Sequence, residues 1–360
     1  MKRKVIGIIG TNGLPGKYGG WDQLVIHLTK KLQSDFDFIV YTSYTNYNPE
    51  NTVINNAKIK KIKFKANGMQ SIPYDIMSLF HAARHCDVLF LCGTSGCIAL
   101  PLIKLFRKKI VLNPDGQEWK RDKWSKPVQW FLKASERVGV KNSDVVVADN
   151  KVIKNYLLAE YGTQSVEIQY GGDHVLRVEM STQTEKRYGI KKGEYAFKVC
   201  RIVPENNIEM ILEAFKESPE MVLVLVGNWE FSEYGKELKE KYSKYLNLKL
   251  LLPIYEQNLL DELRSNCDIY VHGHSVGGTN PSLVEAMNLG LCIFSYDVSY
   301  NRETTENKAY YFSTKNELKD LLVHYTTLNH KNECAANMLE VAKRRYSWDI
   351  ITTKYKEVFT

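Results

Sequence analysis

Short apolar runs alternate along the chain with segments whose apolar residues recur at helical spacing. Val5–Ile9 is rich in β-branched residues and ends at a glycine, which predicts a buried strand. Trp21–Leu32 carries its leucines and valine at helical spacing, which predicts a helix. Because strands that alternate with helices form parallel sheets, this pattern predicts a doubly wound α/β domain. Further strands are predicted at Phe38–Tyr41, Val88–Leu91, Ile110–Leu112 and Val145–Ala148.

The same alternation begins again after Asp173, which predicts a second α/β domain. Its strands are predicted at Tyr195–Val199, Met221–Val226, Leu248–Leu251, Ile269–Val271 and Cys292–Ser295, and its helices at Ile208–Phe215, Tyr234–Tyr245, Gln257–Arg264 and Pro281–Leu289. We therefore expect a first domain over residues 1–172, a second over 173–345 and a final helical segment over 346–360.

The composition is that of a folded globular protein, since 44% of the 360 residues are apolar and 25% are charged. No apolar run approaches the roughly 18–20 residues of a membrane span, so a cytoplasmic protein is expected. The seven cysteines show no C-x-x-C spacing, which predicts free thiols. The net charge of +8 favours an anionic partner, such as a nucleotide, a diphosphate or an acidic membrane face, without choosing among them.

A glycine-rich segment, GTNGLPGKYGGWDQ at residues 10–23, follows the first predicted strand. Gly19 and Gly20 stand at the start of the next helix, where free N–H groups and the helix dipole favour an anion. The segment is not a P-loop, because a tyrosine follows its Gly-Lys pair. Nor is it a dinucleotide fingerprint, because strand two does not end in an acid. We predict an anion site here, and the alternative is a glycine-rich turn without a ligand.

A second segment, HGHSVGGTNPSLVEAMNLG at residues 272–290, fits a capped helix start. Its glycine pair lets a ligand approach the backbone, and its glutamate, one turn into the helix, is placed to bind a ribose diol. The alternative is an ordinary capped helix whose glutamate faces water. His272 and His274 are candidates for either phosphate contact or simple packing. The predicted donor-binding residues here are Gly278, Thr279, Asn280, Ser282 and Glu285.

Two more polar segments follow predicted strands. In NPDGQEWKRDKW, residues 113–124, the acids suit a sugar hydroxyl and the tryptophans suit a sugar ring. CRIVPENN, residues 200–207, places Arg201 after a strand, where a guanidinium can bind phosphate bidentately. The alternatives are a solvated loop and a surface arginine in a salt bridge. In the first segment we predict Asp115 near the reacting sugar and acceptor contacts from Glu118, Arg121 and Trp124.

All four segments follow the carboxyl ends of predicted strands, which is where open α/β sheets bind ligands. Two such edges facing each other would form a cleft.

These motifs together resemble the family 4 glycosyltransferases of the GT-B fold, and in particular their bacterial rhamnosyltransferase-type branch. The resemblance spans the whole chain, and the final helix of the family returns to the first domain, as residues 346–359 would do. It rests on GTNGLPGKYGG at 10–20, DGQEWKRDKW at 115–124, ADN at 148–150, CRIVPENN at 200–207, GGTNPSLVEAM at 277–287 and the closing YSWDIITTKYKEVF.

The resemblance implies two Rossmann-like domains that transfer a sugar with retention from a nucleotide-diphosphate donor, without a metal or cofactor. Arg201 and the helix-start amides near Gly20 and Asn280 would stabilise the leaving diphosphate, while Glu285 would hold the ribose. Asp115 would lie near the reacting sugar. The acceptor would be a saccharide or a lipid-linked saccharide in capsule or other cell-surface polysaccharide synthesis, and no nucleic-acid partner is expected.

Two positions depart from the family pattern. Gly277 replaces the first of two glutamates that the family places eight positions apart, and Asn206 replaces a lysine in the Arg201 motif. Lys17 and Lys236 are candidates to supply the missing charge. The loss of the acidic contact favours a deoxysugar donor, dTDP-L-rhamnose, over another nucleotide sugar such as UDP-glucose.

Two other functions share this architecture: a nucleotide-sugar 2-epimerase and a non-catalytic nucleotide-sugar-binding protein. A D-x-D metal motif occurs at Asp35-Phe36-Asp37, but it precedes strand two and lies away from any carboxyl edge, so no metal site is expected. Two segments are basic, 58–65 and 102–109, and the first alternates like an edge strand. They predict peripheral contact with the anionic inner face of the cell membrane. The alternative is that both are ordinary solvated surfaces.

Overall fold

The computed structural model describes residues 3–16, 19–45, 47, 52–121, 124–325 and 331–360. It divides the chain into two compact units, one formed by Met1–Tyr170 with Trp348–Thr360 and the other by Gly171–Ser347. Each unit contains a largely parallel sheet with connecting helices, which confirms the predicted fold class.

The first unit is built on one sheet, which has eight strands in the described residues. The strands are β1 (Val5–Ile9), β2 (Asp37–Ser43), β3 (Val53–Ile54), β4 (Ala57–Ile62), β5 (Val88–Cys92), β6 (Lys109–Asn113), β7 (Val145–Ala148) and β8 (Val166–Glu167). Their order in the sheet is β3-β4-β2-β1-β5-β6-β7-β8. Only β3 and β4 pair antiparallel among these strands. The helices are α1 (Gly19–Lys31), α2 (Ser71–His85), α3 (Leu100–Ile103), α4 (Lys126–Asn142) and α5 (Lys151–Tyr161).

The second unit has a sheet of six parallel strands in the described residues. They are β9 (Tyr195–Val199), β10 (Val222–Val226), β11 (Leu248–Leu251), β12 (Ile269–His272), β13 (Cys292–Tyr296) and β14 (Tyr310–Phe312). Their order is β11-β10-β9-β12-β13-β14. The helices are α6 (Thr182–Tyr188), α7 (Ile208–Lys216), α8 (Glu233–Tyr242), α9 (Gln257–Ser265), α10 (Pro281–Asn288), α11 (Ser299–Thr304), α12 (Lys315–His324) and α13 (Lys331–Arg345).

The last helix, α14 (Trp348–Phe359), belongs to the first unit. Its Trp348 ring stacks on His27 of α1 with the ring centroids 4.0 Å apart. Phe359 packs edge-on against Phe36 and Phe90. Because these rings are buried against α1 and the sheet, the helix forms part of the core of the first unit.

The structure corrects one predicted strand environment. The basic segment 58–65 was expected to form an edge strand, but β4 pairs with β2 on one side and with the two-residue β3 on the other. Its lysines are nevertheless exposed.

Candidate active site

In each sheet the strand order reverses between two neighbouring strands, β1 and β5 in the first unit and β9 and β12 in the second. Open α/β sheets bind ligands outside the carboxyl ends of such strands. The segments that follow these strands are residues 10–16, 93–97, 200–207 and 273–280. Each unit therefore presents one candidate edge.

The glycine-rich segment of the first unit lies tightly against the strand beside it. Gly10 has a positive φ of 90°, and a Cβ there would collide with the carbonyl oxygen of Cys92. Helix α1 begins at Gly19, and Gly20 follows in its first turn. The helix start already has a carboxylate, since Asp22 is buried in the same turn. Lys17, a candidate for the missing charge, lies outside the described residues.

Acidic side chains converge on the end of β5. Burial raises the pKa of the Cys92 thiol, and the charges of Asp75, Asp115 and Asp22 raise it further. The pKa of Tyr170 is raised in the same way, first by burial and then by Asp115 and Asp149. Such an edge favours a hydroxyl-rich ligand over a diphosphate, because carboxylates accept hydrogen bonds from hydroxyls and repel phosphate.

Asp75 is a buried acid that the sequence analysis did not select. Its Oδ2 accepts a hydrogen bond from Ser95 Oγ at 2.7 Å, whereas its buried Oδ1 has no hydrogen-bond partner. Burial raises its pKa to about 7, although the hydrogen bonds from Ser95 and the Gly96 amide act in the opposite direction. No local pattern marks this residue, because it reaches the edge from α2 while its partners follow β5.

The predicted catalytic Asp115 lies in a strained turn after β6. Its φ is 65° and that of Gln117 is 53°, which is the left-handed region that few residues other than glycine adopt. The Asn113 side chain supports the turn by accepting a hydrogen bond from the Asp115 amide at 3.1 Å. Strain of this kind is concentrated at functional sites, where the surrounding structure maintains it.

The three predicted acceptor contacts lie together. Arg121 Nε is 2.7 Å from Glu118 Oε2, and Trp124 Nε1 donates to Glu118 Oε1 at 3.1 Å. Nearby, the Lys133 ammonium lies over the Trp119 ring, 4.2 Å from its centroid. The carboxylate thus holds the guanidinium and the indole in one cluster.

In the second unit, Arg201 follows β9 and is exposed. Among the described residues no side chain or carbonyl pairs with its guanidinium, so the salt-bridge alternative is wrong. Its carbonyl accepts a hydrogen bond from the side chain of Asn206 at 2.7 Å. Asn206 is therefore a buried residue that closes the loop.

The loop after β12 is tied to the Arg201 loop. The amide and hydroxyl of Ser275 both donate to the carbonyl of Glu205, at 3.0 and 2.9 Å. The Asn207 side chain donates to the carbonyl of Gly273 at 2.8 Å. These bonds bring the Arg201 motif and the segment before α10 together at one edge.

The start of α10 has the predicted cap. Asn280 Oδ1 accepts from the Ser282 amide at 3.1 Å and from the Ser282 hydroxyl at 2.8 Å. Thr279 is buried, whereas a Cβ on Gly277 would meet no atom within 4 Å. The helix start therefore opens onto free space on the side of Gly277.

Glu285 is buried in α10 and already has partners. Its Oε2 lies 2.8 Å from Arg264 Nη2, and its Oε1 lies 3.3 Å from His174 Nε2. Burial alone would raise its pKa, but Arg264 and His174 together hold the pKa below its usual range. Glu285 is therefore a charged carboxylate, and each of its oxygens retains a lone pair for a further donor.

Arg264 and His174 were not predicted from the sequence. Arg264 ends α9 and His174 follows the unit boundary, so neither is close in sequence to Glu285. Lys236, the other candidate for the missing charge, lies on α8 with its ammonium 2.7 Å from Glu233.

The described residues contain no group of three or more His, Cys, Asp or Glu side chains that could hold a metal ion. The carboxylates of the D-x-D sequence instead pair with different cations. Asp35 lies 2.5 Å from Lys356, and Asp37 lies 2.8 Å from Arg3. These two acids serve as surface ion pairs of the first unit.

Two protein-family models match the chain, and the boundary between them lies close to the boundary between the two structural units. Residues 2–173 match the model of a domain of unknown function (DUF1972), and residues 181–345 match the model described as glycosyl transferases group 1. No curated protein sequence matches the chain.

Solved structures share the fold over nearly the whole chain at low identity. Sucrose-phosphate synthase from Thermosynechococcus elongatus superposes with a TM-score of 0.81 at 15% identity, covering 99% of this chain and 98% of that one. Anabaena HepE in complex with UDP-glucose gives 0.77 at 14% identity, covering 99% of both chains. A third structure is that of a putative UDP-N-acetylglucosamine 2-epimerase from Listeria monocytogenes. Its TM-score is 0.65 at 15% identity, covering 99% of this chain and 95% of that one. The chain therefore has the GT-B fold, and residues 181–345 of its second unit match the glycosyl transferases group 1 model.

Proposed function

We propose that the protein is a retaining, metal-independent glycosyltransferase that moves a sugar from a nucleotide-diphosphate donor to a saccharide or lipid-linked acceptor. The observation that carries this proposal is the unpaired guanidinium of Arg201 beside the capped start of α10. The amides of Ser282, Leu283 and Val284 are already bonded to Asn280, so the start of α10 contributes the positive end of its dipole and not free N–H groups. A cation beside that end stabilises the charge that develops on a leaving diphosphate. Glu285 then binds the ribose.

The contrast between the two edges supports a division of roles. The edge of the first unit carries Asp22, Asp75 and Asp115, whereas the predicted phosphate contact, Arg201, lies in the second unit. The acids suit acceptor hydroxyls, with Asp115 nearest the reacting sugar and the Glu118 cluster holding the acceptor. Retention follows if the acceptor attacks on the face that the diphosphate leaves, with a phosphate oxygen taking its proton.

The donor that we propose is dTDP-L-rhamnose, as in the rhamnosyltransferase-type branch of family 4. Gly277 offers space and an N–H group but no carboxylate, so a hexose with all its hydroxyls would leave polar groups underpaired. A 6-deoxysugar has fewer such groups. Since Anabaena HepE binds UDP-glucose in the same fold, UDP-glucose is the competing donor.

A single set of reactions tests the transferase. The purified protein is incubated with each donor in EDTA, with and without a saccharide acceptor, and nucleoside diphosphate and product are measured. Acceptor-dependent release with retained anomeric configuration supports the proposal. Release that requires added Mg²⁺ or Mn²⁺ overturns the metal-independent mechanism. Conversion of the donor to its 2-epimer without acceptor would identify an epimerase, and binding without turnover would identify a non-catalytic protein.

We also propose that the enzyme meets its acceptor at the anionic inner face of the membrane. None of the helices in the described ranges has the length and apolar character needed to cross a bilayer. However, Leu102 and Leu105 in and after α3 are 58% and 77% exposed, beside the cations Lys104 and Arg107. An exposed apolar stripe with flanking cations is typical of interfacial binding.

A further inference from the structure

A second cation lies at the edge of the second unit, inside β9. Lys198 is 1% exposed. Its Nζ lies 3.1 Å from the position that a Cβ would take on Gly273, and the same Cβ would collide with the carbonyl of Asn206. The ammonium therefore lies where the Arg201 loop and the loop before α10 meet. Only a glycine at 273 leaves room for this approach.

Lys198 is buried without a counter-ion. Within the described part of the chain, no carboxylate pairs with it and no protein atom accepts a hydrogen bond from its ammonium. Burial lowers its pKa accordingly. An unpaired ammonium that is removed from water costs several kcal/mol, so such a group is normally paired with an anion. The described residues do not supply that anion, and a bound ligand can.

His272 presents an unused donor on the neighbouring strand. It is 0% exposed, and both of its ring nitrogens are buried without a hydrogen-bond partner. Its ring stacks on His274 with the centroids 4.4 Å apart, which fixes its orientation. Burial, assisted by Lys198, lowers its pKa well below the ordinary value, so the ring is neutral and carries one N–H donor.

Lys198, His272 and Arg201 belong to one edge. β9 and β12 are hydrogen-bonded neighbours, with Phe197 opposite Tyr270, so His272 lies on the face of Phe197 and Lys198 lies on the other. The two side chains therefore share a ligand only at the carboxyl ends of the strands. Lys198 and Arg201 both lower the pKa of the Cys200 thiol, against a larger rise from burial, so both cations lie near that thiol. These three donors, which have no partner in the described protein, lie near the carboxyl ends of two neighbouring strands, where a single anionic ligand can contact them.

We propose that Lys198 and His272 form the inner part of the donor diphosphate site, Lys198 neutralising a phosphate oxygen and His272 donating a hydrogen bond through its ring N–H. Arg201 binds the outer side of the same group. This assignment rests on the proposed function. Lys198, on the preceding strand, then supplies the positive charge that the family pattern places at position 206. Asn206 is then free to close the loop.

Binding measurements on the intact protein test this assignment. Calorimetry compares UDP and dTDP with uridine and thymidine for the parent protein and for Lys198→Met, which keeps the length of the side chain. We expect Lys198→Met to weaken diphosphate binding about 10- to 100-fold, as expected for a lost hydrogen bond to a charged group, and to leave nucleoside binding unchanged. Its thermal stability should equal or exceed that of the parent, because an unpaired buried charge is removed.

Two further variants complete the experiment. Lys239→Met removes a surface lysine that pairs with Glu230 and should bind like the parent. His272→Phe keeps the stacked ring but removes its N–H donor. We expect this variant to lose about 5-fold in affinity for diphosphates and nothing in affinity for nucleosides. If Lys198→Met does not fold, His272→Phe replaces it in the test. Parent-like diphosphate binding by Lys198→Met, or by His272→Phe in its place, overturns this inference alone. If the parent binds no nucleoside diphosphate, the proposed function fails together with it.

Discussion

Arg201 is the residue on which the transfer reaction should depend most directly. Its guanidinium is exposed at the end of β9 and makes no bond that folding requires. We expect Arg201→Ala to reduce kcat about 100-fold or more, the scale observed when one donor to a developing charge is removed. The free energy of unfolding should change by less than about 0.5 kcal/mol.

The matched control for this prediction is Arg187→Ala. Arg187 is also exposed in the second unit, where it lies on α6 with its guanidinium over the Tyr188 ring. Initial rates and denaturant unfolding are measured for both variants. Equal rates for the two folded variants would contradict the role of Arg201.

Asp75 should make the stability of the first unit depend on pH. Burial raises its pKa to about 7, whereas an unfolded aspartate titrates near 3.9. Between these values the folded state keeps a proton that the unfolded state has lost, so this carboxyl lowers the free energy of unfolding as pH rises from about 4 to 7. Asp75→Asn should therefore gain stability relative to the parent over that range. Denaturant unfolding at pH 4, 5, 6, 7 and 8 measures this difference, and a constant difference would refute it.

The placement of a candidate residue was predictable where it follows a single strand. Arg201, Asp115 and Asn280 each stand directly after a strand or at a helix cap, so local pattern was sufficient to select them. Arg264, His174 and Asp75 could not be found in this way, because their partners lie elsewhere in the chain. Lys198 was missed for another reason, since a lysine within an apolar run gives no sign of being buried.

At the scale of elements, α3 and the turn that follows it should bind anionic membranes. Four cations and one acid line an open depression of about 400 Å³: Lys104, Arg107, Lys108, Lys109 and Asp144. Leu105, between the first two in sequence, is exposed. Each basic residue near an anionic surface contributes about 1 kcal/mol. Replacing Lys104, Arg107 and Lys108 by Gln should weaken binding to phosphatidylglycerol vesicles about 100-fold. Co-sedimentation measures it, and binding should also fall as salt rises.

A variant of equal net charge separates local from general electrostatics. Lys186, Arg187 and Lys191 are replaced by Gln in the second unit, where all three are exposed. This variant should retain most of its vesicle binding. Equal losses in the two triple variants, or equal binding of the parent to neutral vesicles, would count against a membrane surface at α3.

Elements were predictable where hydrophobic periodicity was strong. The buried strands β1, β5, β9 and β12 were all predicted, because short continuous apolar runs bounded by glycine or polar residues are typical of buried strands. The two-residue strands β3 and β8 were not, since so short a pairing leaves no periodic signal. Helices α12 and α13 were also missed, because charged residues interrupt their apolar stripes.

At the scale of the whole molecule, the restart of the alternation after Asp173 predicted two α/β units, because each sheet needs its own covering helices. The chain returns to the first unit within a few residues. Tyr346 is buried in the second unit, where its hydroxyl donates to the Thr304 carbonyl at 2.9 Å, and Trp348 is buried in the first. Composition alone gives no sign of this change, since both residues are aromatic.

Trp348 should therefore stabilise the first unit and not the second, although it follows the second unit in sequence. The ring is 1% exposed and stacks on His27, so Trp348→Ala leaves a large cavity beside α1. We expect a loss of about 3–5 kcal/mol. Hydrogen exchange should accelerate at the amides of β1 and β5 and stay unchanged at those of β9 and β12.

Tyr346→Phe should do the reverse. It should accelerate exchange only in the second unit, because it removes one buried hydrogen bond of about 1 kcal/mol. Equal acceleration in both units by either variant would mean that the two units unfold as one.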